Sequence, residues 1–252
     1  MTPGAVALLF GAGVLGGCAN AIAGGATLIT FPSMVASGLP LVMANASNSI
    51  AVMPGNIIAA LSDREKWPAM NAHFAALVIM SVVGSALGSW LLISHSDRSF
   101  MLIVPALIGI ATVLFTFAPQ LQAMLAKFRG THGPAPGASA LIGVTAIYGG
   151  YFGAGIGVMF MAILAIIESR EMRMLNAIKN LLSFACAVPA AIIFIVSGSV
   201  SWPQTLTMMV GAAVGGLLGA RLIRVISAQT MRRLVGAIGG VMTVIYAYRY
   251  WL

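Results

Sequence analysis

Residues 16–32 read GGCANAIAGGATLITFP, and residues 149–160 read GGYFGAGIGVMF. Other small and polar residues recur along the chain in the same order and at nearly the same spacing. The recurring pairs are Gly17 with Gly149, Gly25 with Gly157, Asn48 with Asn180, Trp67-Pro68 with Trp202-Pro203, Gly84 with Gly215, Gly88 with Gly219 and Thr112 with Thr243. In an apolar chain, a duplicated half is typical of membrane transporters whose binding site lies between two repeats.

The composition of the chain predicts that lipid, not water, surrounds most of its surface. Of the 252 residues, 60% are hydrophobic and only 7% are charged, whereas a soluble domain carries about 25% charged residues. The net charge of +8 comes from basic residues that stand singly or in pairs between apolar runs, which indicates cytoplasmic loops and no nucleic-acid partner. The fold class is therefore predicted to be an all-α polytopic membrane protein. Cys18 and Cys186 lie far apart in apolar runs, so we expect no metal or redox role for them.

Apolar stretches divide the chain into two sets of five membrane elements. The predicted elements are 4–20, 24–38, 44–61, 70–93 and 100–118, then 138–153, 155–168, 174–197, 203–223 and 230–249. The polar, Pro/Gly-rich residues 119–138 are predicted to form a cytoplasmic linker between an N-terminal repeat, 1–118, and a C-terminal repeat, 139–252. Because a span needs about 20 residues, the first two elements of each repeat are expected to be short broken or re-entrant helices, giving about 8–10 helices.

The distribution of charge between the predicted loops indicates how the chain is oriented. With five elements per repeat, one set of loops holds Arg64, Lys66, Lys127, Arg129, Arg170, Arg173, Lys179, Arg221, Arg224, Arg232 and Arg233, and the other set holds Arg98 and Arg249. By the positive-inside rule, the first set is cytoplasmic and both termini are periplasmic. An odd number of elements per repeat also turns the second repeat upside down, so we predict an inverted-topology repeat.

Two clusters of polar residues interrupt the apolar elements and mark a candidate binding site. ANASNSIAVMPGN covers residues 44–56, and NAIKNLLSFACAVP covers residues 176–189. We expect amides and a lysine to bind an anion, and glycine-rich helix breaks to expose backbone N–H groups to it. The candidate substrate-binding residues are Asn45, Ser47, Asn48, Lys179, Asn180, Gly24, Gly25, Gly155 and Gly157.

Each of these residues also has a purely structural interpretation. Asn and Ser can join helices or cap broken ones, and Lys179 can extend to the cytoplasmic interface. His73 is either a proton relay or an interfacial side chain. Asp63, Asp97, Glu168 and Glu171 all fall in predicted loops, which argues against a buried carboxylate relay.

Enzymatic function is not expected from the motifs. The chain has no GxSxG, HExxH or P-loop motif and no paired carboxylates on an apolar face. We therefore predict no catalytic residues, no metal and no cofactor.

The glycine-rich stretch GGCANAIAGGATLITFPSMVASGLP, the following ANASNS, and their counterparts GGYFGAGIGVMF and LNAIKNLL resemble the TauE/SafE sulfite-exporter family, also called the toluene sulfonate uptake permeases. The resemblance covers essentially the whole chain. It implies a multi-pass bacterial inner-membrane transporter for small sulfur-containing or organic anions such as sulfite, sulfoacetate or sulfonates. The first glycine run, AGGAT, is shorter than the family's pattern.

The sequence therefore predicts a secondary transporter, an exporter, that works by alternating access at the repeat interface. The alternatives are an anion channel and an importer of a related sulfonate or carboxylate, followed by a membrane assembly factor. The expected partners are a small anionic substrate and the lipid bilayer. The coupling proton or ion, and the choice between monomer and homodimer, stay open.

Overall fold

The computed structural model describes residues 1–22, 25–62, 64–69, 71–126, 137–168, 170–222 and 226–252. This part of the chain folds into α-helices, one 3₁₀ turn and short loops. The helices are α1 (Pro3–Ile22), α2 (Thr27–Ala36), α3 (Leu41–Ser62), α4 (Ala72–Ser94), α5 (Asp97–Thr116), α6 (Ala118–Ala126), α7 (Ala138–Tyr151), α8 (Ile156–Ile167), α9 (Met172–Val196), α10 (Trp202–Leu222) and α11 (Ala228–Trp251). The prediction of an all-α polytopic fold is confirmed.

Ten of these helices match the ten predicted elements within a few residues at either end. The additional helix, α6, occupies the start of the predicted linker 119–138, and residues 127–136 of that linker lie outside the described residues. Within the described residues, four helices are long and apolar enough to cross a membrane: α1, α4, α5 and residues Arg173–Val196 of α9. Helices α2 and α8 have only 10 and 12 residues, so at 1.5 Å per residue neither one crosses a bilayer core alone.

Glycines bring the backbones of two helix pairs into direct contact. Helix α1 packs along α10, and α4 packs along α7. A methyl group on Gly215 would overlap the carbonyl oxygen of Val14, and one on Gly88 would overlap that of Ile147. Small residues are what permit such close approach between helices in lipid.

The pattern of helix neighbours is the same when the two halves of the chain are exchanged. The first helix of each half packs on the fourth helix of the other half, α1 on α10 and α7 on α4. The third helices, α3 and α9, pack on each other, and so do the fifth, α5 and α11. In these pairs, Gly17 lies on α10 and Gly150 lies on α4.

Hydrogen bonds tie several chain segments together at one end of the bundle. The Asp97 carboxylate at the start of α5 accepts from the backbone N–H of Val42 at 2.9 Å, which caps α3. Near the C-terminus, the indole of Trp251 donates to the carbonyl oxygen of Leu102 at 2.8 Å. The starts of α3 and α5 and the end of α11 therefore share this end.

An ion-pair network ties the helices at the opposite end. Glu168, at the end of α8, lies 2.8 Å from His73 Nε2 in the first turn of α4 and 2.9 Å from Arg170 Nε in the α8–α9 loop. His73 is at the other end of α4 from the α4–α5 junction, so this network and the Asp97 contacts lie on opposite sides of the bundle. The sequence did not indicate that Glu168 would pair with His73 or Arg170.

Candidate functional site

A four-residue break separates α7 from α8. Gly153 and Gly155 adopt φ values of 78° and 77°, in the left-handed region that only glycine enters readily. The hydroxyl of Tyr148 donates to the carbonyl oxygen of Ala154 at 2.7 Å, which holds the loop against the end of α7. No side chain caps the first turn of α8. This break is the one predicted around Gly155 and Gly157.

The corresponding break in the first half separates α1 from α2. Ala23 and Gly24 lie outside the described residues, so the prediction for Gly24 stays a prediction. Gly25 has φ 85° and packs so closely on the ring of Phe115 that any Cβ would overlap the ring. Among the described residues, no side chain caps the first turn of α2.

Helix α5 brings the two breaks together. A Cβ on Gly155 would lie 3.7 Å from the carbonyl oxygen of Ala111, while Gly25 contacts Phe115, one helical turn further along. One turn of helix is about 5.4 Å. In addition, Phe31 of α2 meets Phe152 of the other break edge to face, with ring centroids 5.4 Å apart. The backbone breaks of both halves therefore lie next to each other inside the bundle.

Two of the predicted site residues on α3 make structural contacts with the second half. Asn45 is fully buried, and its Nδ2 donates to the carbonyl oxygen of Tyr151 at 2.9 Å, at the end of α7. Ser47 is also fully buried and accepts from the backbone N–H of Ser201 at 2.9 Å. Asn45 thus positions the α7–α8 break, and Ser47 fastens the α9–α10 loop to α3.

Asn48 is a buried amide that has no hydrogen-bond partner in the described part of the chain. It is 1% exposed, and neither its Oδ1 nor its Nδ2 has a hydrogen-bond partner among the described residues. A buried polar group left unpaired costs about 1–3 kcal/mol. Asn48 lies one turn from Asn45 and so near the α7–α8 break. A polar ligand that enters between the halves would satisfy this amide.

Lys179 and Asn180 lie on α9, which packs against α3. Both side chains are half-buried. The Cδ atom of Lys179 would lie 3.7 Å from a Cβ on Gly157, in the first turn of α8. The aliphatic part of Lys179 therefore runs beside the uncapped helix start, where a positive charge and backbone N–H groups both favour an anion.

The prediction from the sequence missed two residues at the first break. Phe115 contacts Gly25, and the guanidinium carbon of Arg232 lies 5.7 Å from the centroid of the same ring. The sequence grouped Arg232 with the cytoplasmic loop charges, but α11 begins four residues earlier, at Ala228. Nothing in the local sequence distinguishes Arg232 from its neighbour Arg233, so only the packing of α11 on α5 reveals its position.

We expect the substitution Asn45→Ala to destabilise the protein by about 1 kcal/mol, because it removes the hydrogen bond to the end of α7. Thermal unfolding in detergent would measure the change in melting temperature. Ser49→Ala is the matched control, because among the described residues the Ser49 hydroxyl bonds only to the carbonyl oxygen of Asn45 in its own helix. Equal melting temperatures for the two variants would contradict the positioning role of Asn45.

Several apolar helices packed through glycines, with paired backbone breaks in the interior, define a polytopic membrane protein of the transporter class. The chain belongs to the sulfite exporter TauE/SafE family, whose model matches residues 9–246.

Relatives with assigned names agree with this membership. A probable membrane transporter protein of Haemophilus influenzae is 28% identical over 255 residues, covering 96% of this chain and 94% of the relative. The probable membrane transporter protein YfcA of Escherichia coli K12 is 25% identical over 243 residues, covering 96% and 90%. The probable membrane transporter protein ORF9 of a Sinorhizobium species is 26% identical over 230 residues, covering 91% and 87%. No solved structure matches the chain.

Proposed function

We propose that this protein is a secondary transporter that exports small sulfur-containing or organic anions, such as sulfite, sulfoacetate or sulfonates, by alternating access at the interface of its two repeats. The observation that carries the proposal is the meeting of the two helix breaks on α5, with Gly155 beside Ala111 and Gly25 beside Phe115. Transporters commonly bind substrate at such paired breaks, because helix termini there point at the ligand.

The chemistry around the two breaks suits an anion. Lys179 lies beside the start of α8, and Arg232 lies on the ring that contacts Gly25. The buried amide of Asn48 adds a donor without a protein partner among the described residues. Cations, amide N–H groups and uncapped helix N-termini together favour an oxyanion over a cation or a neutral solute.

The orientation in the membrane follows from the two ends of the bundle. The end that holds Glu168 also carries the basic residues of the α3–α4 and α8–α9 loops, including Arg64 and Arg170. By the positive-inside rule we assign this end to the cytoplasm of a bacterial inner membrane. The Asp97 end, which includes the C-terminus at Trp251, is then periplasmic.

An inverted repeat accounts for both the loop charges and the helix neighbours. The exchange of halves preserves the pairs α1–α10 and α4–α7 and the contacts of α3 with α9 and of α5 with α11. A two-fold axis in the membrane plane would relate two such halves and pass between the two breaks. In this scheme, access alternates as one half rocks against the other around the substrate.

An anion channel or an importer of a related sulfonate or carboxylate is the second candidate function. Phe31 and Phe152 are buried and in contact between the two breaks, and this aromatic contact favours a carrier over a continuous pore. The word exporter in the family's description supports outward transport as the direction.

Flux measurements on the purified protein test the proposal. In proteoliposomes, we expect saturable exchange of labelled sulfite or sulfoacetate, competed by an alkanesulfonate and weakly by a carboxylate. Runs with and without a pH gradient would identify proton coupling. Flux that rises linearly with anion concentration would establish the channel instead, and no flux of any anion above that of empty liposomes would refute transport of this class.

A further inference from the structure

Arg232 lies within a helix and is half-buried, unlike a charged residue in an exposed loop. It lies in the second turn of α11, half-buried, and its Nε is buried without a hydrogen-bond partner among the described residues. Its guanidinium lies over Phe115, which is fully buried. The neighbouring Arg233 is exposed. A basic residue that only sets the topology needs its side chain to reach the cytoplasmic surface. The exposed side chain of Arg233 meets this requirement, whereas the side chain of Arg232 is half-buried.

Arg232 forms no ion pair within the described part of the chain. The ion pairs there join Glu168 to His73 and Arg170, and Asp97 lies at the opposite end of α5. The first turn of α11 holds no acidic residue, so the helix dipole adds further positive potential beside Arg232. A half-buried, uncompensated cation is costly, and an anionic ligand would offset this cost.

Packing directs Arg232 to the first helix break. Gly236, one turn further along α11, lies so close to Thr116 that a Cβ would overlap the Thr116 hydroxyl. This close approach holds α11 against the end of α5. Two residues therefore contact the ring of Phe115: Arg232 of α11 and Gly25 of the α1–α2 break. Arg232 therefore lies at one edge of the region in which the two breaks meet.

We propose that Arg232 is the residue that selects the substrate by binding two oxygen atoms of a sulfonate, sulfite or carboxylate group. This inference rests on the proposed function and specifies the ligand chemistry of the same site. A guanidinium offers parallel N–H donors that match two oxygens of one oxyanion. A halide presents no such pair of acceptors, so Arg232 would favour oxyanions over chloride.

Binding and exchange measurements on Arg232 variants test this proposal. For R232Q we expect the half-saturating concentration of ethanesulfonate to rise about tenfold or more, because a charge-assisted pair of hydrogen bonds is lost. R232K keeps the charge without the paired donors, so we expect an intermediate affinity and weaker discrimination against chloride. R233Q, the matched control at the exposed neighbouring arginine, should stay within about twofold of the parent, as surface charges contribute little.

The possible outcomes separate this inference from the proposed function. Affinity measured by the ligand-induced shift in melting temperature does not depend on transport. A parent protein that exchanges anions, with R232Q and R232K as selective and as tight as the parent, would overturn the role of Arg232 alone. A parent protein that binds ethanesulfonate without transporting it would overturn the carrier function. The binding affinities of the variants would still test the role of Arg232. Should R232Q fail to fold, unchanged oxyanion selectivity in R232K is the result that overturns the inference.

Discussion

Leucine in place of Gly215 is expected to destabilise the protein strongly, whereas leucine in place of the adjacent Gly216 leaves its stability unchanged. Gly215 lies against the backbone of Val14, and any Cβ would overlap the carbonyl oxygen there. A Cβ on Gly216 would meet no atom within 4 Å. Since a backbone carbonyl in a packed helix cannot move aside as a side chain can, the larger residue at Gly215 must separate α1 from α10. Overpacking of this kind costs about 1–3 kcal/mol, occasionally more.

Size-exclusion profiles and melting temperatures in mild detergent would compare the two variants. We expect an aggregated or strongly destabilised Gly215→Leu and a Gly216→Leu that elutes and melts like the parent. Gly239→Leu and Gly240→Leu form a second matched pair on α11, because a Cβ on Gly239 would overlap the Thr112 hydroxyl and one on Gly240 would meet nothing within 4 Å. If the members of each pair behaved alike, the helix contacts described above would be wrong.

Replacing Asn48 with alanine is expected to lower transport about tenfold or more without destabilising the protein. The amide is buried and unpaired among the described residues, so its removal relieves a desolvation penalty of about 1–3 kcal/mol. A residue retained only for the fold would show the reverse, lower stability with unchanged transport. Initial rates in proteoliposomes and melting temperatures, measured on the same preparations, give both quantities.

Lys179→Ala tests the cation beside α8 in the same assay. We expect reduced transport, with Lys179→Arg partly active because the positive charge is kept. Arg173→Ala is the control, since Arg173 is an exposed basic residue near the start of the same helix. Parental transport rates in both Asn48→Ala and Lys179→Ala would contradict the assignment of the site.

The helices could be predicted from the sequence because lipid imposes strict conditions on the backbone. Every N–H and C=O within the bilayer must be paired, so long apolar runs such as residues 72–94 have few alternatives to a helix. Glycine pairs within such runs also predicted both interior breaks. The part of the linker that forms α6 was missed, because the sequence between Ala118 and Ala126 carries a proline and glutamines that resemble a loop.

Contacts between helices were less predictable, because they depend on how each helix is rotated. Gly236 and Gly240 have the small-xxx-small spacing, yet the residues that contact α5 are Gly236 and Gly239. Similarly, the cluster ANASNS predicted polar residues at the repeat interface. It did not predict that Asn45 would cap α7, or that Asn48 would have no hydrogen-bond partner among the described residues. Arg232 lies on the side of α11 that faces α5, whereas the adjacent Arg233 is exposed, and the sequence does not show how α11 is rotated.

The central claim is that a small oxyanion binds between the two helix breaks, and a structure with a heavy-atom ligand tests it most directly. Crystals grown with 2-bromoethanesulfonate would reveal the bromine by its anomalous scattering. We predict an anomalous peak in the region bounded by Gly155, Phe115 and Asn48. A peak confined to the cavity that Asp97 and Arg249 line, with none between the breaks, would contradict the claim.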